Sequence, residues 1–457
     1  MTYPVDLPNP PDLDLLRAKV QGLAETVSAN QAEIAALRAK IDACGACNRT
    51  TEPDPGLPDP TPDPEPSPTP APEPTPPPPL TQIGTATEPT IARWNVIPEQ
   101  QVDQGFMFGV IAYHLEGIDY VAYSVNGGTW QRVSDMTLNP RTECDEYWMA
   151  LNATPGWNVI RAVAVPKSGL PTELETIRLY HGDNPALFPV IELDSGEHEL
   201  KPVDLPSSGW LTVRPKDGAD VTLVGKSRYW KSGRLRLQDL TIQLPEGGGG
   251  IMGEPDRDNH VWLDNCEGIG AGPAGNTWAV TFQWATASFT GCDLHDIQKV
   301  FFGAKGISYL VRDCTAWNIY EDVIGANGLF CKLDIFGLDR QPVIDATGSK
   351  PHPDVFQVRT MRNTIMQGVQ AHHNVQAQGI FVQPSGGKPA IIDSVAIVDS
   401  HLHSSGGYKT WHPQCPMTNL LVKDTILGGK YDESDATEVG RVIFDNVTDE
   451  HGQPRVR

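Results

Sequence analysis

The residues best suited by type and spacing to do chemistry lie between Tyr320 and His412. One string reads Tyr320-Glu321-Asp322, a second His352-Pro353-Asp354-Val355-Phe356-Gln357. Asp322-Val323-Ile324 and Asp354-Val355-Phe356 fall in the same phase of a repeat, which predicts that Asp322 and Asp354 sit on adjacent strands about 4.8 Å apart. Two carboxylates so close resist joint ionisation, which splits their pKa values as an acid–base pair requires. Glycosidic hydrolysis uses such a pair. Elimination from a uronic acid uses a base beside a group that neutralises the sugar's own acid. Asp322 and Asp354 are therefore the expected working pair, with His352 orienting or sharing a proton. Glu321, Arg340, Gln357, Tyr408, Lys409 and Trp411 are the expected substrate contacts. Aromatic rings suit sugar faces, and His, Tyr and Lys can trade protons. For this to hold, both carboxylates must face solvent together. The insertion Phe336–Lys350 is expected to roof one side, and the Tyr408-Lys409-Trp411 stretch to form the other. Two plainer readings stand beside it: a groove that binds without turnover, or Asp residues that only fill turns. The pattern calls for no metal and no cofactor.

The element that must position these residues is a stacked coil. Gly291–Ala304 aligns without gaps on Asp313–Ala326, a period of 22 residues. A small or polar corner recurs at Asp239, Asn265-Cys266, Asp399-Ser400, Lys423-Asp424 and Asp445-Asn446. Each unit holds two or three short β-runs and no stretch of helical periodicity. One coil cannot bury its inward Val, Ile, Leu and Phe alone, whereas stacked coils bury them in one column. Cys266, Cys292 and Cys314 read as a ladder at one bend rather than as metal ligands. The opening rungs, Val190–Gly196, Trp210–Pro215 and Asp220–Gly225, resemble those of pectate-lyase-like proteins. That resemblance implies a right-handed parallel β-helix over residues 185–457. It is silent on activity, because the fold hosts lyases, hydrolases, epimerases and inert spikes.

The rest of the chain divides cleanly. Fifteen of the 41 prolines lie between Pro53 and Pro79. This acidic stretch reads as a polyproline II spacer within a linker over 48–87. Before it, residues 13–47 carry apolar side chains at strict 3-4-3-4 spacing from Leu13 to Cys44, the narrow seam of a coiled coil; residues 1–12 read as an attachment peptide. β-Branched residues at a with Leu at d favour dimers, while Val27-Ser28-Ala29-Asn30-Gln31 resembles the heptads of trimeric autotransporter stalks. A trimer is expected, with Cys44 and Cys47 forming interchain disulfides if the protein works outside the cell, or else staying a reduced structural pair. Residues 88–184 hold short alternating strands and an Asn126-Gly127-Gly128 hairpin signal. They predict an immunoglobulin-like sandwich, similar to the accessory sandwich before many bacterial β-helices, with a buried Trp130. The expected fold class is thus mainly β: a right-handed parallel β-helix preceded by that sandwich, a Pro-rich spacer and a coiled coil.

With 35 Lys and Arg against 57 Asp and Glu, the chain has a formal charge of −22. This argues against nucleic acid and anionic membranes as partners. The first residues show neither a basic region nor an apolar core of a signal peptide. Coil, spacer, sandwich and β-helix in this order resemble a bacteriophage or gene-transfer-agent spike or fibre. The resemblance implies a virion-surface homotrimer. It implies attachment to other virion proteins through the N-terminus and recognition of host cell-surface polysaccharide, with or without its degradation. The competing readings are a bacterial polysaccharide lyase or glycoside hydrolase on a stalk, and a non-binding spacer.

Overall fold

The computed structural model describes residues 77–455, apart from 200, 225–228, 249, 256, 276–280, 303–307, 373–376, 385–386 and 405–407. The expected attachment peptide, the coiled coil with Cys44 and Cys47, and all of the spacer before Pro77 lie outside the described residues.

Residues 190–445 form a parallel β-helix. Every pairing between its named strands is parallel, and each turn of chain adds a rung to up to three faces. The first face runs from Val190–Leu193 through Leu211–Pro215, Gly233–Gln238, Asn259–Asp264 and Thr286–Thr290 to Val442–Asp445. The second face includes Thr241–Gln243, Glu267–Ile269, Asp293–His295, Gln370–His372, His401–His403 and Ile426–Gly428. The third carries Phe301–Phe302, Ile324–Gly325, Asp354–Val358, Gln378–Val382, Lys409–Pro413 and Lys430–Tyr431. Inward residues such as Val261, Phe289, Phe301, Phe330, Phe356, Ile380 and Trp411 fill a continuous column.

The polar corner has a backbone cause. From the Gly233–Gln238 strand onward, each rung turns between the first and second faces on one left-handed residue: Asp239, Asn265, Gly291, Asp313, Lys332, Gly368, Asp399, Asp424 and Asn446, with φ between 47° and 65°. Asn, Asp and Gly tolerate that region best. Side chains at the corner also bond across rungs, Asn265 Nδ2 donating to Asp239 Oδ1 at 2.7 Å and Asn446 Nδ2 to Asp424 Oδ1 at 2.7 Å. Lys332 departs from the small-residue rule and ties its ammonium to Glu143 and Asp313. One residue past the corner, Cys266, Cys292 and Cys314 stack in register inside the column, as expected.

From the Thr286–Thr290 rung to the next, the 22-residue repeat holds on two faces and slips on the third. Thr290 pairs with Arg312 and Asp293 with Thr315, both 22 apart. Phe301, however, pairs with Ile324, 23 apart. The gapless alignment is corrected there by one residue.

Residues 91–181 form two sheets. One orders Ile91–Trp94, Met107–Tyr113, Asp145–Ala150 and Thr137–Leu138. The other orders Gln101–Val102, Ile177–His181, Gly156–Pro166, Ile118–Val125 and Gln131–Val133. Phe108, Val110 and Tyr147 from the first meet Val121, Tyr123, Ile160 and Leu179 from the second in one apolar core. Asn126 and Gly127 have φ of 51° and 70°, the two left-handed positions of a tight hairpin turn. Trp130 is half-buried rather than buried, with the Arg161 guanidinium 5.4 Å over its ring.

This sandwich packs on the first face of the helix. Ile91, Ile111 and Cys144 join Leu329, Cys331, Ile365 and Ala396 in a mixed cluster. Around it Arg312 donates to Asn95 Oδ1 at 2.9 Å, Gln367 Nε2 to Tyr113 Oη at 2.7 Å, and Asn419 Nδ2 to the Pro89 carbonyl at 2.9 Å.

Candidate active site

The site sits where the chain enters the third face. Ile324 and Phe356 are direct partners, so Asp322 and Asp354, each two residues earlier, come together as their shared phase predicts. Asp354 in turn pairs with Gln378 on the next rung. The slip on the third face places Lys299 in line with Asp322, and Lys299 Nζ lies 3.3 Å from Asp322 Oδ2 and 3.5 Å from Glu321 Oε2. A file of polar residues thus crosses the rungs: Lys299, Asp322, Asp354, Gln378 and Lys409.

The carboxylates do not face solvent. Asp322 is 2% exposed and Asp354 0%, and one oxygen of each, Oδ1, has no hydrogen-bond partner. This corrects the expectation of a solvent-facing pair. Burial pushes Asp322 up to about 7; the Lys299 charge opposes this, and the neighbouring Asp354 and Glu321 add to it. Burial likewise pushes Asp354 up to about 6, against hydrogen bonds from His352 and Gln378. Burial works against the Lys299 charge, but Asp322 and Glu321 outweigh it and hold its pKa above the ordinary value.

His352 is the member that meets solvent, its side chain 45% exposed. Its Nδ1 lies 3.2 Å from Asp354 Oδ2, and the Asp354 hydrogen bond raises its pKa despite partial burial. With both imidazoles neutral, the neighbours form a directional chain. Lys409 Nζ donates to His412 Nε2 at 2.9 Å, His412 Nδ1 to Gln378 Oε1 at 3.1 Å, and Gln378 Nε2 to His352 Nε2 at 2.9 Å. The His352 Nδ1 proton then points to Asp354. A buried carboxylate behind an exposed imidazole fixes its tautomer and supports its charged form. The exposed ring can thus move a proton while Asp354 orients it.

The two flanking segments meet beside His352. The 336–350 insertion carries a short helix, Gln341–Thr347, and places the Arg340 guanidinium 5.1 Å over the Tyr408 ring. Tyr408 also meets the His352 ring edge-on, centroids 6.0 Å apart. Glu321 is half-buried beside Lys299. Gln357 is half-buried on the outer side of its strand, opposite Phe381. Lys409 is tied to Asp432 as well as to His412. Trp411 departs from its expected role. It is 0% exposed, packs inside the column, and donates Nε1 to Glu433 Oε1 at 2.8 Å. Strand alternation explains this, because Trp411 pairs with inward Ile380 while outward His412 pairs with Phe381. His412, stacked on Phe381 with centroids 5.0 Å apart, presents the outer ring instead.

Lys299 is the participant that the sequence reading missed. The gapless 22-residue alignment set it opposite Glu321, one position from its partner. The signal was there in the shift from Phe301-Phe302 to Ile324-Gly325, which a pairing of apolar runs on that face would have revealed.

No protein family matches the chain by sequence, and no curated protein matches it. Among solved structures, a family 28 exopolygalacturonase from Yersinia enterocolitica is similar to this chain at 10% identity. It covers 81% of this chain and 100% of its own, with a TM-score of 0.28.

Proposed function

We propose that the protein is a spike or fibre subunit on a virion surface. Its β-helix would bind host cell-surface polysaccharide along the third face and cleave it with His352 as the proton-transferring group. The observation that carries this reading is the solvent-facing His352 held against buried Asp354, between the Arg340–Tyr408 wall and the Phe381–His412 stack. A sugar hydroxyl or glycosidic oxygen takes the place of the Gln378 amide at Nε2, Asp354 stabilises the imidazolium, and Asp322 with Lys299 backs the pair. Within this proposal residues 13–47 form the trimeric coil with Cys44 and Cys47 bridging chains. The N-terminus meets other virion proteins, residues 88–184 are an immunoglobulin-like spacer, and the β-helix is right-handed.

A second reading, binding without turnover, is favoured by one specific feature: both carboxyl groups are enclosed and cannot themselves touch a sugar. One experiment separates them. The full chain is incubated with purified capsule, lipopolysaccharide and exopolysaccharide from candidate hosts. Reducing ends report hydrolysis, absorbance of a new double bond reports elimination, and a glycan array reports binding. Cleavage that falls at least 100-fold in His352→Ala supports the catalytic reading, general acid–base groups being worth about 10²–10⁴-fold. Binding without cleavage leaves the second reading. Neither on any glycan overturns both.

A further inference from the structure

Cys144 and Cys331 face each other across the contact between sandwich and β-helix. Cys144 follows the left-handed Glu143 at the start of the Asp145–Ala150 strand, and Cys331 points outward from the first face of the helix. Both are buried, at 3% and 0% exposure, and both thiols are free. They share one apolar cluster with Ile91, Ile111 and Ile365. The next residue on either side is also paired, since Lys332 Nζ contacts Glu143 Oε2 at 2.7 Å. Two segments nearly two hundred positions apart are therefore matched residue by residue.

Of the four other described cysteines, three form a ladder, and the fourth, Cys415, is buried in the column. Cys266, Cys292 and Cys314 stack on successive rungs inside the column, their Cβ atoms pointing the same way rather than at one another. Their thiols donate to backbone carbonyls, such as Cys266 to Leu237 at 3.3 Å and Cys292 to Leu263 at 3.4 Å, as the Cys144 thiol does to Thr142 at 3.4 Å. A disulfide needs facing Cβ vectors as well as short distances, and only side chains from opposed surfaces meet that need.

We infer that Cys144 and Cys331 are a modification site, a disulfide that clamps the sandwich onto the β-helix when the chain meets a low-molecular-weight disulfide. The Cys144 thiolate attacks one sulfur of that disulfide and expels the other as a thiolate, leaving a mixed disulfide on Cys144. The Cys331 thiolate then attacks the Cys144 sulfur, forms the Cys144–Cys331 bond and expels the second small thiolate. The protein loses two protons and two electrons, and the small disulfide is reduced to two thiols. The local charges suit this order. Cys331 and the nearby Arg312 and Lys332 charges draw the Cys144 thiol below its ordinary pKa despite burial, whereas burial pushes Cys331 up. Because both sulfurs are enclosed, the bridge closes as the two units dock, or when they part briefly. The inference does not depend on any glycan activity.

The test refolds the full chain from denaturant in mixed oxidised and reduced glutathione, blocks free thiols under denaturing conditions, and maps linked peptides by mass spectrometry. The expected result is a dominant Cys144–Cys331 peptide, absent from Cys144→Ser and Cys331→Ser. The oxidised wild type should also melt higher than the same protein with reductant, while neither variant shows that difference. Native circular dichroism with no such peptide overturns the inference, as does a dominant Cys292–Cys314 link. Should refolding fail, the native full chain is held in oxidised glutathione just below its melting temperature and mapped in the same way. Absence of the Cys144–Cys331 peptide there overturns the inference equally.

Discussion

Asp322→Asn should make the protein more stable at pH 8 and change it much less at pH 5. An ordinary aspartate titrates at 3.8, whereas burial lifts Asp322 to about 7, a value that already includes the favourable Lys299 charge. A carboxyl whose folded pKa is raised binds its proton more tightly when folded. Stability therefore falls as pH climbs from 3.8 to about 7, where the unfolded chain has already released the proton and the folded one has not. At about 1.4 kcal/mol per pH unit, the whole rise costs about 4 kcal/mol, of which about 3 kcal/mol develops between pH 5 and pH 8. The amide keeps the shape and cannot ionise, and Lys299 retains Glu321 at 3.5 Å. Thermal melts of wild type and variant, followed by circular dichroism at both values, give the comparison. The variant's advantage should grow by several degrees from pH 5 to pH 8. An advantage that does not change with pH, or a variant that melts lower at pH 8, would show that Asp322 is ionised and held by Lys299. The reasoning from burial would then be refuted.

Trp411→Ala should act as a core deletion, costing about 3–5 kcal/mol and lowering the melting temperature; a well-folded variant with only weakened glycan binding would return Trp411 to the surface. At the left-handed corner, Asp399→Gly should leave the melting temperature unchanged or raise it. Asp399→Val should lower it by the equivalent of about 1–2 kcal/mol, because φ there is 49°. A chain cut to residues 77–457 should run as a monomer in light scattering where the full chain runs as a trimer; a full-length monomer would remove the coil from the proposal, and a trimer surviving the cut would move assembly to the β-helix. Asp354→Asn should reduce any depolymerase activity along with His352→Ala while leaving circular dichroism intact, measured by reducing-end release.

The sequence by itself determined the kind of fold and the phase of its rungs. Apolar side chains that recur from coil to coil have nowhere to go but a shared column, and Asp, Asn or Gly at nearly every corner marks a backbone turn that other residues adopt at a cost. The pairing of Asp322 with Asp354 was likewise legible, because residues in phase on a parallel stack must lie over one another. The tertiary structure alone decided which way each side chain points and how deeply it lies. Strand alternation turns Trp411 inward and His412 outward, a difference of one residue that composition cannot see. The slip on the third face brings Lys299 to Asp322, and it arises where the coil takes one more residue to round its bend. The enclosure of both carboxyls and the meeting of Cys144 with Cys331 belong to contacts between segments far apart in the chain. Such contacts form only when surfaces fold against each other, and no local pattern encodes their depth.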